Sequence, residues 1–415
     1  MATRLTLIVW LGMAVLALTN CSAPGVNNPT VVETPEHHVM AVVEYGGGVD
    51  YSDPLIIEKY SQGRVLVVQA PLMWLDDTYV GAIAAMKAAN PNLKVVGYVN
   101  AHTTWLSWGD PARTDPAVEP FKAEWDAAVR PFWSYTTTGD TMTPWPGKIV
   151  VNILEPDCRE AMVQVLANHW TSHGNVLDGI FWDHFNEYMW VMNNVPGREG
   201  DLDLDGDGIA HRDDEDEMQA YRDASVELIQ RTNEVLGSHV IQITNGNRAG
   251  RDSVFARLVD GTMHETFPSG FTTMREALEL SQPNNLFAVN KWFRTRNGGP
   301  FLILSNTGVV QYQIDGEVEP LRKAEFNRIV ALLTGSLVAY HPLDQSTHYS
   351  WPETAIDLGS PVGAAHFSGD LISREFENGW VRLDFTNGTD YLPFGFEIEQ
   401  NGQVIQEMQI PFALP

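Results

Sequence analysis

The sequence predicts an α/β protein, a (β/α)8 TIM barrel with a small C-terminal all-β module. Short apolar runs rich in β-branched residues alternate with helical stretches over residues 38–341. Several runs, such as Val65-Leu66-Val67-Val68, are continuously apolar, as in strands buried on both faces of a parallel sheet. From about residue 355 the helical pattern stops, and Asn-Gly turns separate short alternating strands.

Eight strands are predicted in the barrel. They are His38–Glu44, Arg64–Gln69, Lys94–Asn100, Leu177–Asp183, His239–Asn245, Leu258–Glu265, Leu286–Trp292 and Ser336–His341. The main helices between them are Asp77–Ala89, Asp157–Trp170, Asp213–Leu236 and Leu321–Thr334. The run Lys148–Leu154 is either a further short strand or an extended segment that leads into the next helix. Eight units in this length fit a barrel with insertions better than an open doubly wound sheet.

The amino-terminal residues are predicted to direct export. Residues 1–20 form a signal peptide, 21–36 a linker, 37–354 the barrel domain with an acidic insertion at 198–216, and 355–415 the β-module. Arg4 precedes an apolar run that is too short to span a bilayer. The run ends before Cys21 and resembles a lipoprotein signal, although Asn20 stands where Gly or Ala is usual. Both a lipid anchor on Cys21 in the cell envelope and a secreted product therefore stay open.

The charge of the chain limits its partners. The formal net charge of −27 opposes binding to nucleic acid and favours a neutral or cationic polymer as substrate. With two cysteines, Cys21 and Cys158, no disulfide framework is expected, and Cys158 is predicted to be a buried structural thiol. No organic cofactor is expected. The sequence does not indicate which oligomeric state the protein adopts.

Two acids close apolar strands of the predicted barrel. Asp183 ends the fourth strand and Glu265 ends the sixth, both among aromatic residues, where an unused charge would be costly. Because reactive groups of TIM barrels lie at the carboxyl ends of strands, both acids belong to one face. Glycosidic cleavage requires one carboxylate as nucleophile or base and a second as proton donor. Asp183 and Glu265 are the predicted catalytic pair, with a helix cap or ion-pair partner as the alternative role of each.

Further polar and aromatic residues lie at strand ends, where they suit the binding of a sugar by stacking and hydrogen bonds. The predicted binding residues are Glu44, Tyr45, Gln69, Tyr98, Asn100, Trp182, His184, Asn245, His264, Lys291, Trp292 and Tyr340. Asp178 and Asp260, by contrast, precede a glycine where a strand begins, and a turn at the opposite, non-catalytic face is expected for both.

An acidic loop carries the strongest motif of the chain. Counted from Asp203, its residues match the spacing of a calcium loop, with Gly208 at the sharp turn. The predicted ligands are Asp203, Asp205, Asp207, the carbonyl of Ile209, His211 through water, and Asp214. Asp214 stands where a bidentate Glu is usual. A structural calcium is therefore expected, with a solvated acidic loop as the alternative.

Several short segments together resemble a known family. They are Gly97-Tyr98-Val99-Asn100, Asp178-Gly179-Ile180-Phe181-Trp182-Asp183, Thr244-Asn245-Gly246, His264-Glu265 and Arg374-Glu375-Phe376-Glu377-Asn378-Gly379. These segments are similar to the bacterial TIM-barrel glycosidases called hypothetical glycosyl hydrolase family 15, and more distantly to the endo-α-1,4-polygalactosaminidases. The resemblance implies a barrel with a small β-module, a carbohydrate substrate, and catalytic roles for Asp183 and Glu265. The calcium-type insertion departs from the family pattern.

Three functions remain open at this point. The first is hydrolysis of an extracellular polysaccharide by Asp183 and Glu265. The second is a non-catalytic carbohydrate-binding surface protein, since a fold does not guarantee activity. The third is a metal-dependent polysaccharide deacetylase with Asp183, His264 and Glu265 as ligands, although no paired-His metal spacing is present.

Overall fold

A computed structural model describes the greater part of the chain. It covers residues 41–43, 50–69, 77–105, 119–144, 147–172, 176–183, 185, 201–246, 252–265, 267, 277–281, 285–307, 320–341, 358–386 and 395–409. The predicted signal peptide, linker, Cys21 and the boundary at residue 355 lie outside these ranges. Within them, no helix combines the length and the apolar character needed to cross a membrane.

An eight-stranded parallel sheet is the centre of the fold. In hydrogen-bonded order its strands are β1 (Ala41–Val43), β2 (Val65–Gln69), β3 (Lys94–Asn100), β7 (Gly179–Asp183), β9 (Ile241–Asn245), β10 (Gly261–His264), β11 (Phe301–Thr307) and β12 (Leu337–His341). Two short ribbons lie in the connections: β4 (Thr103–Trp105) with β6 (Lys148–Val150), and β5 (Tyr135–Thr136) with β8 (Leu202–Asp203).

Helices connect most of the parallel strands. They are α1 (Pro54–Ser61), α2 (Asp77–Ala89), α3 (Glu119–Val129), α4 (Pro156–Ser172), α5 (Glu215–Leu236), α6 (Ser253–Ala256), α7 (Leu286–Asn290) and α8 (Pro320–Thr334). The longest, α5, begins where Asp214 caps it by accepting hydrogen bonds from two backbone N–H groups, and it ends at Gly237 with a φ of 98°. The four helices predicted from the sequence are present, with ends that differ by no more than two residues.

The sheet is apolar on both faces because side chains alternate along each strand. One set, which includes Val67, Phe181 and Ile243, forms a buried cluster with members from all eight strands. The other set, which includes Val68 and Ile180, packs in a larger cluster with the helices. Strands β1 and β12, at the two ends of the hydrogen-bonded order, also lie against each other. The parallel strands therefore form a curled layer covered by helices.

A five-stranded antiparallel sheet follows. Its strands, in order, are β13 (His366–Ser368), β14 (Leu371–Phe376), β15 (Gly379–Asp384), β16 (Gly395–Gln400) and β17 (Gln403–Gln409). Asn401 and Gly402 join the last two strands with φ values of 53° and 82°, the left-handed pair that a two-residue hairpin requires. The sheet packs on α8, where Arg374 donates from Nη1 to the Leu332 carbonyl at 2.9 Å.

The predicted seventh strand is wrong. Residues 286–290 form the short helix α7, because the Asn285 side chain accepts a hydrogen bond from the Ala288 N–H and caps a helical turn. The seventh parallel strand is instead Phe301–Thr307. A short apolar run does not by itself distinguish strand from helix, and here the capping residue decided. Of the two alternatives for residues 148–154, the short strand is present at Lys148–Val150.

The amino ends of the strands are held by ion pairs. Asp178 accepts a hydrogen bond from the Val95 N–H at 2.8 Å and lies 2.8 Å from Lys87 Nζ. Asp260, fully buried, lies 2.6 Å from Arg296 Nε. Both acids precede their strands, so they lie at the end of the sheet opposite to Asp183, as the sequence predicted.

We expect Gly261→Ala to destabilise the protein strongly. A Cβ atom at Gly261 would lie 1.9 Å from the Phe301 carbonyl oxygen, so two central strands would have to separate. The free energy of unfolding in urea should fall by about 1–3 kcal/mol or more. Gly81→Ala is the matched control, because its Cβ meets nothing within 4 Å on helix α2, and it should stabilise by about 0.5–1 kcal/mol. Equal effects of the two changes would contradict this account.

Candidate active site

Four neighbouring strands bring polar side chains together at their carboxyl ends. Tyr98 and Asn100 come from β3, Asp183 from β7, Asn245 from β9, and Glu265 directly follows β10. The register places Asn100 opposite Asp183, and Asn245 opposite the residue two before Glu265. All five share the alternation of the inner cluster, so they lie at the same end and on the same face of the sheet.

Three neutral donors surround the carboxyl group of Asp183. The Tyr98 hydroxyl and, at 3.4 Å, Asn100 Nδ2 donate to Oδ2, while Asn245 Nδ2 donates to Oδ1 at 2.8 Å. The Asn100 amide is itself oriented, because its Oδ1 accepts hydrogen bonds from the N–H groups of His102 and Thr103. Asp183 is only 5% exposed, so these donors replace the water that its charge has lost.

Asn245 joins the two predicted catalytic acids. Its Nδ2 lies 2.8 Å from Asp183 Oδ1 and 2.8 Å from Glu265 Oε2. The two oxygens are therefore separated by at most twice that distance. Because the two N–H bonds of a primary amide diverge by about 120°, the separation is about 5 Å. The predicted pair is thus brought together, with Asp183 buried and Glu265 half-buried.

A cation, Lys148, lies beside this pair. It is not among the site residues predicted from the sequence. Burial lowers the pKa of its ammonium, while the charges of Asp183 and Glu265 raise it in part. Lys148 begins β6, opposite Trp105 of β4, in the ribbon that leaves the sheet directly after Asn100. It lies 35 residues before Asp183 and outside the parallel strands. A search for polar residues at the carboxyl ends of those strands therefore does not find it.

Two predicted binding residues point away from the acids. Trp182 is fully buried and donates from Nε1 to Gln242 Oε1 at 2.8 Å, within the layer between sheet and helices. His264 is 2% exposed and precedes Glu265, so it takes the opposite side of its strand. The prediction that these two residues line the site is wrong, because it ignored the alternation. Gln69, at the end of β2, is paired in register with Tyr98 and keeps its predicted place.

The misplaced seventh strand removes two more candidates. Lys291 and Trp292 follow α7, where Asn290 Nδ2 donates to the Thr334 carbonyl, close to the amino end of β12. They therefore lie at the end of the sheet opposite to the acids. Tyr340 lies within β12. The predicted residues Glu44, Tyr45 and His184 lie outside the described residues.

Cys158 has the structural role that was predicted. It is a buried free thiol on α4, and burial raises the pKa of that thiol to about 12. It therefore stays protonated and unreactive at neutral pH.

The acidic loop adopts a compact turn in which its carboxylates accept backbone hydrogen bonds. Asp203 accepts from the N–H groups of Gly206 and Gly208, at 2.7 and 2.9 Å. Two sets of carboxylate oxygens lie within 4.8 Å of one another: Asp203, Asp205 and Glu217, and Asp205, Asp207 and Asp214. Burial, with the charges of Asp207, Glu217 and Asp214, raises the pKa of Asp205, against a backbone hydrogen bond that lowers it.

Glu217 joins the loop. The Glu217 carboxylate accepts hydrogen bonds from the N–H groups of Leu204 and Asp205, at 2.7 and 3.0 Å, and contacts His211 Nδ1. His211 is 3% exposed and its Nδ1 contacts Glu217, and its role as a water-mediated ligand stays a prediction. The signal for Glu217 was present as the capping sequence Asp214-Glu215-Asp216-Glu217 at the start of α5.

The loop is fastened to the segment that carries Lys148. Asp203 pairs with Tyr135 in the ribbon of β5 and β8, and Asn152 Nδ2 donates to the Leu204 carbonyl at 2.7 Å. The Val150 N–H donates to the Met142 carbonyl at 3.1 Å, which joins β6 to the same segment.

Sequence comparison assigns the family. The sequence model of hypothetical glycosyl hydrolase family 15 matches residues 87–380, which is more than half of the chain. The chain belongs to hypothetical glycosyl hydrolase family 15. Because the family is one of glycosyl hydrolases, the protein is a glycosidase, and hydrolysis is favoured over a purely binding function. The matched residues include Tyr98, Lys148, Asp183, Asn245 and Glu265. No curated protein matches the chain.

Several solved structures are similar in part. Ega3 from Aspergillus fumigatus, in complex with galactosamine, is 14% identical, with 76% of this chain and 96% of that chain covered and a TM-score of 0.40. A cyclic α-maltosyl-(1→6)-maltose hydrolase from Arthrobacter globiformis is 13% identical over 85% and 92%, with a TM-score of 0.45. An α-amylase from Geobacillus thermoleovorans, complexed with acarbose, is 10% identical over 91% and 97%, with a TM-score of 0.46. The family assignment does not depend on these likenesses.

We expect Asn245→Asp to destabilise the protein in a pH-dependent way. Three carboxyl groups in contact oppose one another's ionisation, so the loss should be smaller at low pH, where fewer of them carry a charge, and should grow as the pH rises. At pH 7 the loss should reach roughly 2 kcal/mol or more. Thermal unfolding between pH 4 and 8 measures it. Asn245→Ala removes the donor without adding a charge and should depend less on pH, and a loss for Asn245→Asp that is constant with pH would refute the bridging geometry.

Proposed function

We propose that this glycosidase cleaves an extracellular polysaccharide by a two-carboxylate mechanism at Asp183 and Glu265. The observation that carries the proposal is the single amide nitrogen of Asn245, which binds both acids at 2.8 Å. The resulting separation of about 5 Å is the spacing of glycosidases that retain anomeric configuration, whereas inverting enzymes need about 6.5–9.5 Å to admit water between the acids. We therefore infer net retention.

The surroundings of the two acids suit different roles. Asp183, buried among three donors, suits the ionised nucleophile. Glu265 is more exposed and suits an acid that exchanges protons with the leaving group and with water. The three neutral donors stabilise the charge of the nucleophile.

The reaction then proceeds in two balanced steps. Asp183 attacks the anomeric carbon while the carboxylic acid of Glu265 gives its proton to the departing glycosidic oxygen, which leaves a glycosyl ester on Asp183. In the second step the Glu265 carboxylate takes a proton from a water molecule that attacks the same carbon. The ester bond breaks, and Asp183 returns to its ionised form, with Glu265 protonated again.

The bridging amide also argues against a metal-dependent deacetylase at this site. Asn245 directs N–H donors at both carboxylates, and its nitrogen takes the position between them that a shared cation would need. His264, the third ligand of that alternative, follows the opposite alternation.

The proposal includes a closed (β/α)8 barrel and an exported protein. Closure is supported by an inner cluster with members from all eight strands and by the approach of β1 to β12. Export is supported by the apolar run after Arg4. The net charge of −27 favours a neutral or amino-sugar polymer over a polyanionic one.

We expect azide to rescue the two acid variants with opposite stereochemistry. Wild type should release reducing ends from one polymer in a panel of neutral and amino-sugar polysaccharides. On an aryl glycoside of that sugar, Asp183→Ala and Glu265→Ala should each lose about 10³-fold or more in kcat. Azide should then yield a glycosyl azide of inverted configuration with Asp183→Ala, and of retained configuration with Glu265→Ala, because azide replaces the nucleophile in one and water in the other.

The isosteric variants Asp183→Asn and Glu265→Gln provide the folding control, since they keep size and shape. If either cuts the polymer at the wild-type rate, the pair is wrong. If the wild type gives a product of inverted configuration, Asp183 and Glu265 remain the catalytic pair, but Asp183 is not the nucleophile.

We also propose that the acidic loop binds a structural calcium ion. The oxygens that suit the ion are those of Asp203, Asp205, Asp207, Asp214 and Glu217. Support comes from the spacing of the first three acids, from the turns at Gly206 and Gly208 with φ values of 80° and 88°, and from the pKa of Asp205, which burial and then repulsion by the neighbouring acids raise. A divalent cation would relieve that repulsion.

We expect calcium to raise the thermal stability of the full chain. At a free concentration 100 times its Kd, calcium should add about 2.7 kcal/mol, and a chelator should remove it. The double variant Asp205→Asn, Asp207→Asn should lose the calcium response while folding. The matched control is Asp213→Asn, Asp223→Asn, which neutralises two exposed acids outside the two oxygen clusters and should keep the response. An unchanged Tm on addition of calcium to wild type would reject the site.

A further inference from the structure

A buried histidine, His102, lies just beyond the strand that carries two of the donors to Asp183. It follows the end of β3 by two residues and is fully buried. Its N–H donates to Asn100 Oδ1 at 3.2 Å, and its carbonyl accepts a hydrogen bond from the Val151 N–H at 2.8 Å. The two-carboxylate mechanism gives this residue no part.

The imidazole ring of His102 packs against two aromatic rings. Its centroid lies 5.0 Å from that of Phe185 and 5.2 Å from that of Tyr221 on α5, with the planes tilted by 33° and 39°. Both partners are fully buried. Because protein interiors are close-packed, the imidazole cannot change its rotamer without displacing a neighbouring ring. The packed ring and the bonded carbonyl together leave the backbone of residue 102 little freedom.

The contacts of His102 lead to both amides that hold Asp183. Asn100, whose Oδ1 accepts from the His102 N–H, donates from Nδ2 to Asp183 Oδ2 at 3.4 Å. Phe185, against which the imidazole packs, donates from its N–H to the backbone carbonyl of Asn245 at 3.1 Å. Asn245 Nδ2 in turn donates to Asp183 Oδ1 at 2.8 Å. His102 is therefore one contact away from Asn100 and two contacts away from Asn245.

The orientation of the Asn100 amide depends directly on this turn of the chain. An asparagine amide has two orientations that differ by half a turn and exchange its oxygen and its nitrogen. The N–H groups of His102 and Thr103 need an acceptor, and both donate to Oδ1, at 3.2 and 2.9 Å. They therefore select the orientation in which the nitrogen faces Asp183. In the other orientation an oxygen would face the carboxylate, and the two backbone donors would lose their partner.

We propose that His102 is a positioning residue of the active site, whose buried ring fixes the Asn100 and Asn245 amides and through them the carboxylate of Asp183. This inference rests on the proposed two-carboxylate function and deepens it. Attack on the anomeric carbon requires a nucleophile in a defined position, and a displacement of about 1 Å can cost about 10²-fold in rate. His102 itself contributes no proton and no contact to the sugar.

The first test observes the two amides directly and needs no substrate. The full chain is produced with isotope-labelled asparagine, and the side-chain NMR signals of Asn100 and Asn245 are assigned by their loss in the alanine variants. Both signals should shift or broaden in His102→Ala. In His102→Phe, which keeps a ring against Phe185 and Tyr221, they should stay close to the wild-type positions. If both signals are unchanged in His102→Ala, the proposal is overturned.

The second test measures hydrolysis of the aryl glycoside. His102→Ala should lower kcat about 10²-fold and change KM by less than about threefold, because the ring acts on the nucleophile and not on the bound sugar. His102→Phe should keep kcat within about threefold of the wild type. Where His102→Ala does not fold, His102→Leu fills most of the space without a planar ring and should show the same loss of kcat.

His169→Ala is the matched control. It removes the same ring from a second buried histidine, on α4, whose centroid lies 5.1 Å from that of Phe121. It should lower the Tm about as much as His102→Ala and leave kcat unchanged. An equal loss of kcat in the two variants would reflect a general loss of packing and would reject the inference.

The third test asks whether His102 acts through the two amides. In the Asn100→Ala, Asn245→Ala background, His102→Ala should lower kcat by no more than about threefold, because mutations that act through the same groups are not additive. An undiminished loss would mean that His102 acts by another route.

The three tests separate failure of this inference from failure of the proposed function. If Asp183→Asn and Glu265→Gln keep wild-type activity, the catalytic pair is wrong, and the NMR comparison still decides whether His102 fixes the amides. If these acid variants are inactive but His102→Ala keeps the wild-type kcat, the pair stands and the positioning role of His102 is wrong.

Discussion

The candidate active site depends on one amide that donates to two acids. Carboxylates about 5 Å apart repel each other in a partly buried site, and N–H donors offset that repulsion without forming an ion pair. Asn245 supplies both donors from its side-chain amide. Its backbone is fixed because the backbone carbonyl of Asn245 accepts a hydrogen bond at 3.1 Å from the N–H of Phe185, just beyond β7. The bridge thus joins three consecutive strands of the sheet, and the spacing of the acids follows from the spacing of those strands.

The two ends of the parallel sheet have different roles: one stabilises the fold, and the other carries the polar residues of the candidate site. At its amino end, Asp260 is fully buried against Arg296, and Gly261 allows two strands to approach too closely for any side chain. At its carboxyl end, inward positions that would otherwise be apolar are Tyr98, Asp183 and Asn245. Parallel strands bring equivalent ends together, so a rigid set of ion pairs at one end supports a polar set at the other.

Two long connections, one after β3 and one after β7, lie beside the candidate site, and a short antiparallel ribbon pairs them. The segment after β3 carries Lys148, and the acidic loop after β7 pairs with that segment at Tyr135. Glu217 fixes the loop to the start of α5 by accepting its backbone N–H groups. A cation in the loop would therefore stabilise the segment that holds Lys148, which gives a loop distant in sequence a physical connection to the acids.

The sequence by itself determined the parallel α/β fold, the acids Asp183 and Glu265, and the neighbours Tyr98, Asn100 and Asn245, because strand ends, alternation and buried charge are local signals. It also contained, but did not resolve, the choice between helix and strand at residues 286–290, where a capping side chain decided against the apolar run. Alternation along the strands already accounts for the orientation of Trp182 and His264 away from the acids. Only the tertiary structure brought Lys148 to the acids and placed Glu217 in the loop. Those results depend on contacts between segments far apart in the chain, and such contacts have no periodicity or spacing in the sequence.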